Sequence, residues 1–255
     1  MQINNANKLQ LRLGLCCHFS KHPLSFRTTT ATSLARLKTR DRLLKLSTLC
    51  MANATSLLAA LQYCDAHSIR CFRINSQILP LKTHPLVRYR VDELPNGADI
   101  EAAFRACGNF ATEREIRTLF HPDQFVVLNS PREVVVSSSV EELEYHAEVA
   151  EWVAADTINI HAGGVYNDKS AALDKFQRSL DRLSDGVRKR LTIENDDRSY
   201  SPNDLLPLCR AAGLPLVYDV HHHRCLPDCL SIEEATEAAL GTWNREPVVH
   251  ISSPR

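Results

Sequence analysis

Thr157-Ile158-Asn159-Ile160-His161-Ala162-Gly163-Gly164 is a short apolar run that ends on a histidine and turns on two glycines. The pattern recurs along the chain. Arg117–Phe120 gives way to His121, Leu191–Ile193 to Glu194, Leu216–Tyr218 to Asp219, and Val248-Val249 to His250. Short β-rich runs bounded by turn residues read as strands. With Leu11–Leu15 and Cys71–Ile74, and with the last run taken as Val248–Ile251, they make seven candidate strands. Helix-period segments lie between them, at about 35–66, 99–113, 139–153, 169–186, 203–212 and 231–240. Ser201-Pro202-Asn203-Asp204 supplies helix-start chemistry and Ala211-Ala212-Gly213 a helix end.

Repeated strand–helix alternation makes a parallel sheet with right-handed crossovers. A chain of 255 residues is the size of a (β/α)₈ barrel, whose sites lie at the C-terminal ends of its strands. The competing doubly wound sheet wants a glycine-rich first turn. Gly14 is instead followed by Leu15-Cys16-Cys17. The expected fold is α/β, a TIM (β/α)₈-type barrel with seven strands recognised and the final strand missing. Residues 1–10 form an N-terminal extension and 11–255 the barrel domain.

Composition fits one soluble domain with a core that needs no staples: 44% of residues are hydrophobic and 24% charged. The nine cysteines include no CxxC pair, so a reducing, cytosolic compartment is expected rather than a disulfide scaffold. No stretch is read as approaching the roughly 20 apolar residues of a membrane span. Net charge is zero, yet the first forty residues hold seven Lys/Arg and no Asp/Glu. That bias resembles a transit peptide in composition, but a strand at Leu11–Leu15 belongs to the fold. The basic stretch after it is a loop that either faces an anion such as a phosphate backbone or is merely solvated.

One polar residue at a strand end is usually structural. Five in succession at the same end of a barrel converge on one pocket, which points to a metal site. Imidazoles mixed with carboxylates, without thiolate, suit Mn²⁺, Zn²⁺ or Fe²⁺ better than Ca²⁺. In Asp219-Val220-His221-His222-His223 the spacing favours Asp219 with one histidine after the turn. Cys225 and Cys229 read as ordinary thiols. Asn195 and Asp196 either orient ligands or make a turn. Gly163 and Gly164 either let a backbone approach a substrate or make a plain turn. Gln124-Phe125 is either an exposed wedge or the start of a core run with Val126, Val127 and Leu128, and spacing favours the core.

Taken in order, Arg12-Leu13-Gly14, Phe72-Arg73-Ile74, Thr83-His84-Pro85-Leu86, His121-Pro122-Asp123-Gln124-Phe125, His161-Ala162-Gly163-Gly164-Val165-Tyr166, Ile193-Glu194-Asn195-Asp196, Asp219-Val220-His221-His222 and Val249-His250-Ile251-Ser252-Ser253 resemble the UV damage endonucleases. That DNA-repair family has a TIM-barrel fold. The resemblance implies a nick immediately 5′ to UV photoproducts, cyclobutane dimers and 6-4 photoproducts, leaving a 3′-hydroxyl. It implies up to three divalent ions, commonly manganese, on His121, His161, Glu194, Asp219, His222 and His250. His222 is selected because the family's histidine stands three residues after the aspartate. His84 would stand near the scissile phosphate. Gln124 and Phe125 would probe the duplex at the lesion, which moves Phe125 from core to wedge, and Arg73 and Tyr166 would touch the DNA. The partner would be double-stranded DNA carrying UV lesions, met by a monomer in the cytoplasm (on the nucleoid in a bacterium). Three departures accompany the match. Leu15 stands where the family has a second probing aromatic, and Val248 where it has a lysine that can bridge metals. A further ligand histidine, a ligand glutamate and the last strand would lie beyond Arg255. The alternatives are an apurinic endonuclease or sugar isomerase of similar layout, or a truncated, inactive homologue.

Overall fold

The computed structural model describes residues 11–17, 19 and 22–251. The expected extension, residues 1–10, lies outside them. Seven strands are present among the described residues: β1 (Gly14–Cys16), β2 (Cys71–Ile74), β3 (Arg117–Phe120), β4 (Ala155–His161), β5 (Leu191–Glu194), β6 (Leu216–Asp219) and β7 (Val249–His250). All pair in parallel and in chain order. The helices are α1 (Ala31–Ala35), α2 (Thr39–Ala66), α3 (Gly97–Glu113), α4 (Glu133–Trp152), α5 (Lys169–Ser179), α6 (Asp185–Arg188), α7 (Pro202–Ala212), α8 (Val220–Cys225) and α9 (Ile232–Leu240). The sheet curls into a partial TIM-type barrel. Glu246, just before β7, reaches back across it, accepting from Arg117 Nη1 at 2.7 Å through its backbone oxygen and from Arg12 Nε at 2.8 Å through its carboxylate.

Strand alternation builds the two faces. In β4, Ile158 and Ile160 are buried with Phe72, Phe120, Leu191, Ile193 and Leu216 in the core, which also takes Leu57, Phe104, Phe176 and Leu205 from the helices. Each such side chain contributes roughly 1.5–3 kcal/mol on burial. The intervening Thr157, Asn159 and His161 occupy the opposite face. Local chemistry closes the helices as expected. Ser201 and Asp204 form a reciprocal capping box with Pro202 at the first position, and Gly213 ends α7 in the left-handed region at φ 65°.

Five expectations are corrected. β1 spans Gly14–Cys16, not Leu11–Leu15, and β7 only Val249–His250. Both strands have one ladder partner among the described residues, and Leu11 and Ile251 are 82% and 85% exposed, so regular pairing stops inside the expected bounds. α4 begins at Glu133, six residues before the expected start, because packing of Val136 outweighs the low helix propensity of Val134-Val135-Val136. The segment 169–186 breaks after Ser179, and Ser184 caps a new turn by accepting from Val187 N. Finally, α2 is apolar and long enough, at 28 residues, to pass the length and composition test for a membrane span. Its buried stripe, Leu46, Cys50, Ala54, Leu57, Leu61 and Cys64, belongs to the barrel core and it packs on α3.

His146 on α4 is fully buried. Its Nδ1 donates to Glu142 O at 2.7 Å, its ring meets Phe120 edge-on at 5.2 Å, and its Nε2 finds no partner among the described residues. Burial pushes its pKa from 6.5 down to about 4. Between those values the unfolded chain binds a proton that the folded one refuses. Stability from this group is therefore complete above pH 6.5 and is lost as pH falls toward 4. Denaturant unfolding should show His146→Phe losing about 3 kcal/mol less than wild type between pH 7 and pH 4. Equal losses in the two proteins would refute this.

Candidate metal centre

Glu194 ends β5 and is 1% exposed. His121 Nε2 lies 2.9 Å from its Oε2, and His250 Nδ1 2.9 Å from its Oε1. His222 Nδ1 lies 3.6 Å from the same Oε1 and 3.9 Å from Asp219 Oδ2. Two groups of potential ligand atoms result: His121, Glu194 and His250, and Glu194, Asp219 and His222. Within each the atoms lie within 4.8 Å of one another, and Glu194 belongs to both. Parallel pairing causes the convergence. Register sets His161 beside Glu194 and Asp219 beside His250, so the strand ends rise together into one mouth.

Outer partners orient the candidate ligands. Asn159 Nδ2 donates to Glu194 Oε2, and Thr192 Oγ1 donates to Asn159 Oδ1 at 2.9 Å. The Asn195 side chain clamps both backbone groups of Asp219, at 2.9 Å each, and the Asn195 backbone carbonyl accepts from His222 Nδ1 at 2.9 Å. Asp219 Oδ1 caps α8 by accepting from His221 N and His222 N. The triple histidine is therefore part of a short helix. Its turn aims His222 inward and sends His223 to Tyr218 and Asp228. Asp196 makes the turn of Arg198 to Tyr200 by accepting their backbone N–H groups.

The donor set fits a cation. His121 Nδ1 lies 3.1 Å from the Pro122 carbonyl, which can only accept, so that nitrogen carries a proton. Its Nε2 faces an ionised carboxylate, which also only accepts; the contact needs a second proton or a cation. His161 Nδ1 is buried without a partner among the described residues. The His161 ring centroid is 5.1 Å from that of His121 and 5.8 Å from that of His222. Burial holds the His161 pKa below its usual value, which keeps a lone pair available. Burial alone would raise the Glu194 carboxyl, but His250 and His121 beside it hold it well below the usual range. His250 moves up: burial lowers it, and Glu194 more than compensates.

Four of the other expected site residues share a groove that none of the candidate ligands lines. His84, Gln124, Phe125 and Tyr166 line one groove of about 820 Å³, with Arg132 and Tyr145. Leu86 N donates to His84 Nδ1 at 3.2 Å, so the proton of a neutral His84 ring sits on Nε2. Phe125 is 78% exposed while Val126 and Leu128 are buried, so the core reading that spacing favoured is wrong for Phe125. Arg73, on β2, lies close enough to lower the His250 pKa. Leu15 packs against the core. At Gly163 and Gly164 the space a Cβ would take is filled by the protein itself. A Cβ at Gly163 would meet Asn129 Oδ1 at 2.3 Å, and one at Gly164 the Tyr166 ring at 3.0 Å. The residues missed from sequence are Asn159 and Thr192. Their signal was legible, since each is a polar residue two before a ligand and on its face of the strand.

A family model, UV-endonuclease UvdE, matches residues 11–255. A UV DNA damage endonuclease of Bacillus velezensis is 34% identical over 235 residues, covering 88% of this chain and 70% of that protein. One from Bacillus cereus strain G9842 is 33% identical, covering 90% and 73%. The crystal structure of SacUVDE superposes with a TM-score of 0.86 at 31% identity, covering 96% of this chain and 82% of that one. Endonuclease IV from Thermus thermophilus, at 21% identity and a TM-score of 0.55 over 76% of this chain and 70% of its own, shares the fold. A strand-end ligand cluster, a curled parallel sheet and matches running almost end to end agree: this chain belongs to the UV-endonuclease UvdE family.

Proposed function

We propose that this chain nicks UV-damaged double-stranded DNA on the 5′ side of the photoproduct, leaving a 3′-hydroxyl, with divalent ions, manganese foremost, held by His121, His161, Glu194, Asp219, His222 and His250. The carrying observation is Glu194, a buried carboxylate shared by two ligand groups beside a groove that bears an exposed aromatic. Bound cations supply charge neutralisation on phosphate oxygens and a hydroxide at neutral pH. The protein's share is placement. Asn159 fixes Glu194, Asn195 fixes Asp219 and His222, and the His84 Nε2–H is available to a phosphate oxygen. The exposed Phe125 ring offers a stacking face to a base step that damage has already loosened. Tyr166, 44% exposed on the same groove, offers a second where Leu15 offers none. Such a wedge has no use in a sugar isomerase. The protein acts as a monomer on DNA in the cytoplasm. With Mn²⁺ it is expected to convert UV-irradiated supercoiled plasmid to the nicked form and to spare unirradiated plasmid. Intact irradiated plasmid, with the fold verified by circular dichroism, would overturn the reading.

A further inference from the structure

Between residues 22 and 64 the chain holds Arg27, Arg36, Lys38, Arg40, Arg42 and Lys45 against a single carboxylate, Asp41. Five of the six cations are exposed and Arg42 is half-buried. No side chain among them has an ion pair or hydrogen bond among the described residues. Elsewhere the arginines are commonly matched: Arg70 to Asp65, Arg88 to Glu141, Arg105 to Glu101, Arg182 to Glu133 and Arg190 to Glu151. Among the described residues these six cations of the tract have no side-chain partner.

Its place in the fold gives that charge a use. The tract joins the C-terminal end of β1 to the start of α2, so it lies on the end of the barrel where Glu194 lies. It is pinned there. Arg27 N donates to Asn53 Oδ1 at 2.6 Å, and Asn53 Nδ2 donates to Ile78 O, in the loop after β2, at 2.8 Å. Leu24 and Phe26 share a cavity with Asn75, just beyond β2. The charges also oppose local stability. Lys38 begins α2 with no side-chain cap, and Arg40 and Arg42 sit in its first turn, where the helix dipole favours anions. A tract that is pinned, unpaired and of the wrong sign for its own helix fits an external polyanion.

We infer that residues 27–45 form a second DNA contact, gripping the phosphate backbone of the duplex that flanks the nicking site, independently of damage. This rests on the proposed action on DNA and adds a sequence-blind, salt-sensitive grip outside the groove. The test is the salt dependence of binding to an undamaged 30-base-pair duplex, read by fluorescence anisotropy. Combining Arg36→Gln, Lys38→Gln, Arg40→Gln and Arg42→Gln should flatten the slope of log K against log salt by about 3 to 4, each phosphate contact carrying about 0.9. Nicking of irradiated plasmid at low salt and saturating enzyme should persist. If the fourfold variant misfolds, Arg36→Gln with Lys38→Gln, both before α2, should still flatten the slope by about 2. An unchanged slope overturns the inference. So does an equal flattening from Lys175→Gln, Arg178→Gln and Arg210→Gln, which lie on other elements. A wild-type protein that shows the predicted slopes yet never nicks irradiated plasmid defeats the proposed function instead.

Discussion

Glu194→Gln is expected to reduce nicking of irradiated plasmid by well over 100-fold while leaving the fold intact. The substitution keeps the volume and removes the charge. Glu194 is the member common to both ligand groups, and it is fully enclosed by His121, His250 and Asn159. Removing an outer partner of a metal ligand typically costs about 10–100-fold, and removing a ligand shared by two sites costs more. The structural readout is separate from activity. Adding Mn²⁺ at about 100 times its Kd should stabilise the wild type by roughly 2.7 kcal/mol, since the ion binds only the folded state. The variant should show little of that shift, and elemental analysis of His161→Ala with Glu194→Ala should show depleted metal. A full Mn²⁺-induced shift in the Gln variant would mean that the ions bind elsewhere.

Gly163→Ala is expected to be the most destabilising single methyl group near the site. Gly163 adopts φ +89°, a conformation costly to any L side chain. The new Cβ would also fall 2.3 Å from Asn129 Oδ1. Asn129 cannot step aside cheaply: it is 1% exposed and its Nδ2 donates to Gly164 O at 2.8 Å. Strain and overpacking together give about 3 kcal/mol, or a melting point lower by roughly 6–12 °C for a chain of this size. A thermal melt within a degree of wild type would show that the loop holding His161 and Tyr166 is softer than its contacts imply.

Much of the fold was legible because its signals are local and periodic. Apolar runs of strand length, each ending on a ligand-type residue, marked β3 to β6 to within a few residues. Only the edge strands β1 and β7 were misplaced, because a strand with one neighbour has its ends set by that neighbour and not by its own side chains. The start of α4 was missed for the converse reason: three valines read as non-helical until tertiary packing of Val136 is counted.

For the site, alternation along single strands and position at a strand end sufficed to nominate His121, His161, Glu194, Asp219 and His250. The same alternation, pressed one step further, would have found Asn159 and Thr192. Choosing His222 among three histidines needed the family resemblance, and its reason is three-dimensional. Asp219 caps a short helix whose turn aims one ring inward, and no linear spacing carries that direction. For Phe125 spacing pointed the wrong way, to the core, since exposure depends on what the rest of the barrel leaves uncovered. The candidate ligands at the strand ends are thus a property of the sequence, set by local pattern. Their convergence on one carboxylate, and the His161 nitrogen and barrel-mouth cations left without partners among the described residues, are properties of the tertiary structure, because parallel pairing brings residues more than a hundred positions apart to the same few ångströms.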